Sequence, residues 1–162
     1  MMNKSKKNTI ALIWVLFFTL SFSAGKSQDH SKLKVYNSHE EMVAAAKAII
    51  TEISVGDFKQ IFDNKMPVII DIRTQKEYEA GSIPGAVHIP RGVLEFKIHK
   101  EESWAGSRFS SPEKSEPIFI YCRTGGRGSL ATKSLMQLGY TNVQSIQGGW
   151  EAWNETYPEL SE

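Results

Sequence analysis

Short apolar runs alternate with helix-like segments along most of the chain. Strand-like segments of four or five residues cover 68–72, 86–89, 118–121 and 142–146, and the most apolar of them are 68–72 and 118–121. Runs of this kind are typical of strands that are buried on both faces of a parallel sheet. Because strands and helices alternate, the pattern predicts an α/β fold with a mostly parallel sheet of about five strands and helices on both faces.

Three polar residues have the position of helix caps. Ser38 is followed by a glutamate three residues later, which is the spacing of a capping box. Ser54 and Thr74 stand before two shorter segments of the same kind. After Ser38, apolar residues recur at helical spacing and predict a helix on the outside of the domain; they are Met42, Ala45, Ala46, Ile49, Ile50 and Ile53. Further helices are predicted over 93–98, 129–138 and 150–157.

The first 25 residues differ in composition from the rest of the chain. Three lysines lie near the start, residues 8–25 carry no charge, and small residues follow the apolar stretch. This layout is that of a secretory signal peptide, so we expect residues 1–25 to be removed and the protein to be periplasmic or secreted. An uncharged run of this length is also close to what spans a bilayer, and an uncleaved anchor facing the periplasm is the alternative. Residues 26–37 predict a polar linker, and residues 38–160 predict the folded domain.

Composition and charge exclude some kinds of partner. Hydrophobic residues make up 41% of the chain, which is ordinary for a folded globular protein. The formal net charge is +1 and becomes −2 when the three lysines of residues 1–25 are removed. No basic stripe is interleaved with aromatic residues, so we expect no nucleic-acid partner. The four histidines lack the spacing of metal ligands, and we expect neither a metal nor a cofactor.

The single cysteine, Cys122, lies where chemistry is expected in such a fold. It follows the strand-like run 118–121, and ligands of parallel α/β sheets bind beyond the carboxyl ends of the strands. It cannot form a disulfide within the chain. A free thiol in an exported protein is exposed to oxidants, so we look for a functional reason for its presence.

The residues after Cys122 favour a reactive, anionic sulfur. Glycines at 125, 126 and 128 let the backbone curl tightly, so that its N–H groups converge on one anion. The next helix begins there and adds partial positive charge, and Arg123 and Arg127 flank the loop. These surroundings favour a thiolate at Cys122. A buried cysteine that packs as a small hydrophobic residue is the alternative, but such packing requires neither the glycines nor the arginines.

Three segments resemble the motifs of the rhodanese family, and the resemblance covers about residues 52–157. The loop from Cys122 to Arg127 has the family's Cys-x-x-x-x-Arg spacing. Residues 71–86 are similar to a signature that begins Asp-x-Arg and ends Ile-x-Gly-Ala, with Ser82 where the family often has histidine. Residues 148–153, Gly-Gly-Trp-Glu-Ala-Trp, resemble its C-terminal signature.

The resemblance implies a sulfurtransferase in which Cys122 carries the sulfur as a persulfide. The expected donor is a small anion such as thiosulfate or a persulfide, and the expected acceptor is cyanide or a thiol, with a thioredoxin-like protein as one candidate. The loop residues implied in donor binding are Arg123, Thr124, Gly125, Gly126, Arg127 and Gly128. For Arg127 an ion pair with Asp71 or a glutamate is the alternative. Asp71 is expected to support the loop by hydrogen bonds, and Arg73 is expected to pair with Glu77.

Other functions are open to this sequence. Phosphatases of related fold carry arginine six positions after cysteine, where this chain has Gly128, so the shorter loop argues against phosphatase activity. A non-enzymatic sulfur carrier or interaction module is the main alternative, while a redox sensor lacks a second, resolving cysteine. The long polar segment 101–117 is either a solvated insertion, with Trp104 and Phe109 packed on the body, or a lid or docking element.

Overall fold

The computed structural model describes Ser31 and residues 33–161. The chain divides into two units, Met1–Val35 and Tyr36–Glu162, and the fold given below is that of the second. The segment 1–25, interpreted above as a signal peptide or anchor, lies outside the described residues and remains a prediction. In the described part of the chain, no helix is both long enough and apolar enough to cross a membrane.

Five parallel strands form a single sheet, as the alternating pattern predicts. Their order across the sheet is β1-β5-β4-β2-β3, which places β4 at the centre. All four residues of β4 are buried, as expected for a strand covered on both faces. The strands are β1 (Thr51–Ile53), β2 (Val68–Asp71), β3 (Val87–His88), β4 (Ile118–Tyr121) and β5 (Val143–Ile146).

Helices cover both faces of the sheet. On one face, Phe58 of α2 and Trp153 of α6 pack against Phe119. On the other face, Leu94 of α4 and Leu135 of α5 belong to the second core cluster, and α1 packs on α5. The helices are α1 (His39–Lys47), α2 (Val55–Lys65), α3 (Gln75–Glu79), α4 (Leu94–Lys97), α5 (Gly126–Gln137) and α6 (Gly149–Thr156).

The three predicted helix caps are confirmed. The side chains of Ser38, Ser54 and Thr74 each accept a hydrogen bond from the backbone N–H three residues later. At Thr74 the capping box is complete, because the Glu77 carboxylate also accepts from the Thr74 backbone N–H at 2.9 Å. Each cap satisfies N–H groups that a helix start otherwise leaves without a partner.

The prediction that the first helix continues to Ile53 is wrong. The helix ends at Lys47, and Thr51–Ile53 forms β1, an edge strand that pairs in parallel with β5. The segment contains β-branched residues, which suit a strand, and Ile53 becomes 92% buried in the core against that sheet. The pairing of Thr51–Ile53 with β5 therefore outweighs the helical spacing of the apolar residues in this segment.

The glycine-rich loop is shorter than the sequence suggests. The helix predicted from residue 129 begins at Gly126, so half of the loop is the first turn of α5. Glycine has a low helix propensity, which conceals such a start in the sequence. The consequence is that the dipole of a 12-residue helix points directly at Cys122.

The polar segment 101–117 lies against the body of the domain. Trp104 is 2% exposed, and its indole Nε1–H donates to the carbonyl of Ile98 at 3.0 Å. Phe109 packs against the same core cluster. These contacts confirm that the two aromatic residues attach the segment to the domain. A lid or docking role for it remains a prediction.

Met66 is expected to be replaceable with a gain in stability. It ends α2 in the left-handed conformation with φ at 43°, and it is 63% exposed. A side chain in this conformation costs about 1–2 kcal/mol, whereas glycine adopts it freely. Met66→Gly should raise the free energy of unfolding by about 1 kcal/mol in urea titrations. Met66→Ala is the matched control, and equal stabilities of the two variants would contradict the prediction.

Candidate active site

Cys122 lies directly after the central strand β4, and its sulfur is held by two backbone amides. The N–H of Gly125 donates to Cys122 Sγ at 3.2 Å, and the N–H of Gly128 donates at 3.3 Å. The residue is 1% exposed. Gly125, with φ at 97°, makes the turn that brings both amides to the same side. Two backbone N–H donors to the sulfur are therefore present in the structure, on the loop where the sequence predicts them.

The first turn of α5 adds further positive potential. The helix starts after Gly125 without any side-chain cap. The N–H groups of a helix's first turn have no partners within the helix, so those of Gly126 and Arg127 face outward from its start. Together with the helix dipole they favour an anion next to Cys122.

The start of α6 fixes the other side of the loop. The N–H groups of Trp150 and Glu151 donate to the carbonyls of Cys122 and Arg123, at 2.7 and 3.0 Å. Gly149 has φ at 58°, and a Cβ there would lie 2.3 Å from the Cys122 carbonyl oxygen. Only glycine permits this approach. The sequence contains the Gly-Gly pair before a helix, but it does not show that the pair contacts the loop that begins at Cys122.

Arg127 is paired with a glutamate of α3. Its two terminal nitrogens donate to the Glu77 oxygens at 3.1 and 2.7 Å, across 50 positions of sequence. Of the two interpretations of Arg127, the ion pair with a glutamate is the one observed in this structure. The hydrogen bonds from Arg127 lower the pKa of Glu77 from 4.5 to about 2, and Thr74 contributes further hydrogen bonds. Glu77 is thus the partner of Thr74 in the helix cap and of Arg127 in the loop. The prediction that Glu77 pairs with Arg73 is wrong.

The pair between Glu77 and Arg127 is expected to give a measurable pH dependence. Because folding lowers the pKa of Glu77, its stabilisation is present above its ordinary pKa of 4.5 and is lost as the pH falls towards about 2. Glu77→Gln should therefore be less stable than the wild type at neutral pH, and the two should converge in acid. Urea titrations across this range would measure the difference. A difference that does not change with pH would contradict the assignment.

Arg123, the other arginine of the loop, is exposed and paired with α6. Its Nε donates to Glu151 Oε1 at 2.6 Å, and its side chain is 64% exposed. An exposed pair of this kind contributes little to stability, so Arg123 can exchange its partner for a substrate anion. Arg123, Glu151, Glu77 and Arg73 line one depression of about 290 Å³.

Asp71 and Arg73 form a buried ion pair beneath the site. Arg73 Nη2 donates to Asp71 Oδ2 at 2.6 Å and to the Gly81 carbonyl at 2.5 Å, and its guanidinium stacks 4.7 Å from the Trp150 ring centre. The predictions that Asp71 supports the loop and that Arg73 pairs with Glu77 are wrong, because the Asp71 oxygens accept from Arg73. Burial would lower the pKa of Arg73, but its hydrogen bonds with Asp71 outweigh this and raise it. The pair joins the end of β2 to the start of α6.

The residues assembled here place the Cys122 sulfur beside backbone N–H donors at the start of α5. Within residues 33–161, no three His, Cys, Asp or Glu side chains are placed to hold a metal ion. A family model described as the rhodanese-like domain matches residues 54–156. The chain belongs to this family. The matched residues include the loop that begins at Cys122, the arginine partners Glu77 and Glu151, and the Asp71–Arg73 pair.

Relatives in this family include sulfurtransferases. The human thiosulfate:glutathione sulfurtransferase is 28% identical over 106 residues, which cover 64% of this chain and 92% of the human protein. The adenylyltransferase and sulfurtransferase UBA4 of Meyerozyma guilliermondii is 37% identical over 101 residues, which cover 62% of this chain and 23% of that protein. These similarities support sulfur transfer as the general chemistry of this rhodanese-like domain.

Solved structures confirm the fold. The human single-domain sulfurtransferase TSTD1 has a TM-score of 0.59 and 28% identity, covering 64% of this chain and 95% of that chain. A Rhodopseudomonas palustris protein of unknown function, described as a possible tyrosine phosphatase, has a TM-score of 0.63 and 29% identity, covering 76% and 93%. The spacing of Cys122 and Arg127 in this rhodanese-like chain remains the argument against phosphatase activity.

Proposed function

We propose that this protein is a sulfurtransferase that moves a sulfane sulfur from thiosulfate, or from a persulfide donor, to cyanide or a thiol. The observation that carries the proposal is the sulfur of Cys122, which accepts hydrogen bonds from the N–H groups of Gly125 and Gly128 at the start of α5. The thiolate is the nucleophilic form of cysteine, and N–H donors in this position can hydrogen-bond to it. The setting also offers donors to a second sulfur attached to the first.

In the first step the Cys122 thiolate attacks the outer sulfur of thiosulfate. A new sulfur–sulfur bond forms, the bond between the two thiosulfate sulfurs breaks, and sulfite leaves with the electron pair. The product is a persulfide anion on Cys122. The amides of the first turn of α5 lie where they can hydrogen-bond the developing charge, and their fixed orientation costs no reorganisation.

In the second step the acceptor removes the terminal sulfur. Cyanide or a thiolate attacks that sulfur, the sulfur–sulfur bond of the persulfide breaks, and Cys122 leaves as a thiolate. The products are thiocyanate or a new persulfide on the acceptor. Because the enzyme alternates between two covalent forms, ping-pong kinetics are expected.

The two loop arginines are proposed to bind the anionic donor. Both hold carboxylates in this structure, Arg123 with Glu151 and Arg127 with Glu77. An incoming dianion would take over part of these contacts, since arginine binds oxyanions through paired donors. The exposed pair of Arg123 opens at little cost, which makes Arg123 the first contact for the donor.

The proposed setting outside the cytoplasm follows from residues 1–25 alone. Export would place the enzyme in the periplasm or outside the cell, where cyanide, small thiols or a thioredoxin-like protein would be the acceptors. Exported proteins more often use cysteines in disulfides, and the free Cys122 accords with a catalytic use of the thiol.

Intact-mass spectrometry of the full chain tests the proposal. Incubation with thiosulfate should add the mass of one sulfur atom, and subsequent cyanide should remove it with release of thiocyanate. Prior alkylation of Cys122 should prevent the gain. If thiosulfate and small persulfides leave the mass unchanged, the free-standing enzyme is excluded, and a sulfur carrier or interaction module that depends on a partner protein becomes the better assignment.

A further inference from the structure

A groove of about 610 Å³ lies between α1 and the catalytic loop. Val43 and Ala44 of α1 form one wall, and Leu130 of α5 belongs to the other. Thr124, Gly126 and Arg127 of the loop complete it. The groove is therefore continuous with the loop that holds Cys122.

The helix α1 packs directly against the loop. A Cβ at Gly126 would lie 3.7 Å from Val43 Cγ2, which is ordinary van der Waals contact. The helix His39–Lys47 precedes residues 54–156, the part that matches the rhodanese-like model. One wall of the groove thus comes from a segment of this chain outside the matched domain.

The lining of the groove is suited to an apolar ligand. The charged and titratable side chains of the lining are each paired: His39 lies 3.0 Å from Glu40, Lys47 lies 3.0 Å from Glu52, and Arg127 lies 2.7 Å from Glu77. A ligand does not need to be anionic to occupy the space between Val43, Ala44 and Leu130. The volume is in the range of pockets that bind small organic molecules, roughly 300–1,000 Å³. Cyanide and thiosulfate are too small to fill it.

We propose that this groove binds the apolar body of a small organic thiol that serves as the sulfur acceptor, which names the acceptor class of the function proposed above and depends on it. The thiolate of the bound acceptor attacks the terminal sulfur of the Cys122 persulfide after releasing its proton to solvent. The persulfide bond breaks, Cys122 leaves as a thiolate, and the acceptor becomes a persulfide. Contact with α1 selects the acceptor by the size of its apolar body.

The test measures how fast straight-chain thiols discharge the full-length protein after it has been loaded from thiosulfate. 1-Propanethiol, 1-butanethiol and 1-pentanethiol have nearly equal thiol acidity, so their rates differ mainly through binding of the alkyl chain. The second-order rate constant, followed by intact mass, should rise roughly fourfold per methylene group that becomes buried. Rates that do not depend on chain length would overturn the proposal and would favour a protein acceptor.

Two matched tryptophan variants locate the effect. Ala44→Trp fills the groove and should abolish the dependence on chain length, with discharge by cyanide of the same loaded variant as the reference rate. Met42→Trp places the same side chain on α1 at an exposed position outside the lining, and it should retain the dependence. If Ala44→Trp keeps the dependence, the groove is not the acceptor site.

The two proposals fail in different ways. If the wild-type protein takes up no sulfur from thiosulfate or from small persulfides, the proposed function is contradicted and this inference with it. If the protein loads and cyanide discharges it, but alkanethiols of all lengths react alike, only the inference about the groove is contradicted. Circular dichroism of each variant shows whether the overall fold is retained.

Discussion

Cys122→Ser is expected to lower the rate of sulfur transfer from thiosulfate to cyanide by at least about 10³-fold, because the covalent route is lost. A serine oxygen can still accept the hydrogen bonds that Gly125 and Gly128 donate to Cys122 Sγ in the wild type. The loop should therefore keep its conformation while the nucleophile is removed. Steady-state assay of thiocyanate formation measures the effect, and intact mass should show no added sulfur.

The Cys122→Ser experiment needs a control that separates loss of the nucleophile from loss of the folded structure. The free energy of unfolding of Cys122→Ser should lie within about 1 kcal/mol of the wild type, since a small buried side chain is replaced by one of similar shape. Residual activity of a tenth or more in a folded Cys122→Ser protein would show that another group carries the sulfur. It would also contradict the persulfide mechanism.

Asp71→Ala is expected to be the most destabilising of the replacements discussed, at about 3–5 kcal/mol. The reason is the charge that remains, because the Arg73 guanidinium is 2% exposed and its ionic partner is Asp71. Removal of the carboxylate leaves a buried cation, with the Gly81 carbonyl and the rings of Trp150 and Tyr121 as its remaining contacts. Urea titration of the free energy of unfolding measures the loss.

Two comparisons show whether the buried charge is the cause. Asp63→Ala removes an exposed ion pair with Lys59, whose Nζ lies 2.6 Å from Asp63 Oδ2, and should change stability by less than about 1 kcal/mol. The double variant Asp71→Leu, Arg73→Met leaves no unpaired charge and should be more stable than Asp71→Ala. A loss at Asp71→Ala no larger than at Asp63→Ala would contradict this account of the pair.

The strands and caps could be predicted because they depend on neighbours in the sequence. The runs at β2 and β4 are apolar over most of their length, and such runs have few alternatives to a buried strand. Ser38, Ser54 and Thr74 act within one helical turn, so their residue type and spacing suffice. Cys122 was identified for the same reason, since the glycines that shape its loop follow it directly.

The edge strand and the ion pairs could not be predicted in this way. Thr51–Ile53 is a strand only because β5 lies beside it, although its residues also continue a helical spacing. Arg127 and Glu77 are 50 positions apart, and Arg123 and Glu151 are 28 apart, so no local pattern links them. The pairing of Arg73 with Asp71 was missed because Glu77 has the more usual helical spacing from Arg73.

The sequence by itself determined the α/β architecture, the helix caps and a cysteine in a glycine-rich anion loop at the end of a buried strand. These features depend on apolar periodicity and on hydrogen bonds within a few residues, which residue order specifies directly. Only the tertiary structure decided which carboxylate each arginine contacts. It also decided that Gly149 contacts the Cys122 carbonyl and that α1 forms one side of a groove beside the loop. These contacts join segments far apart in the chain, and their partners are set by how the helices pack on the sheet.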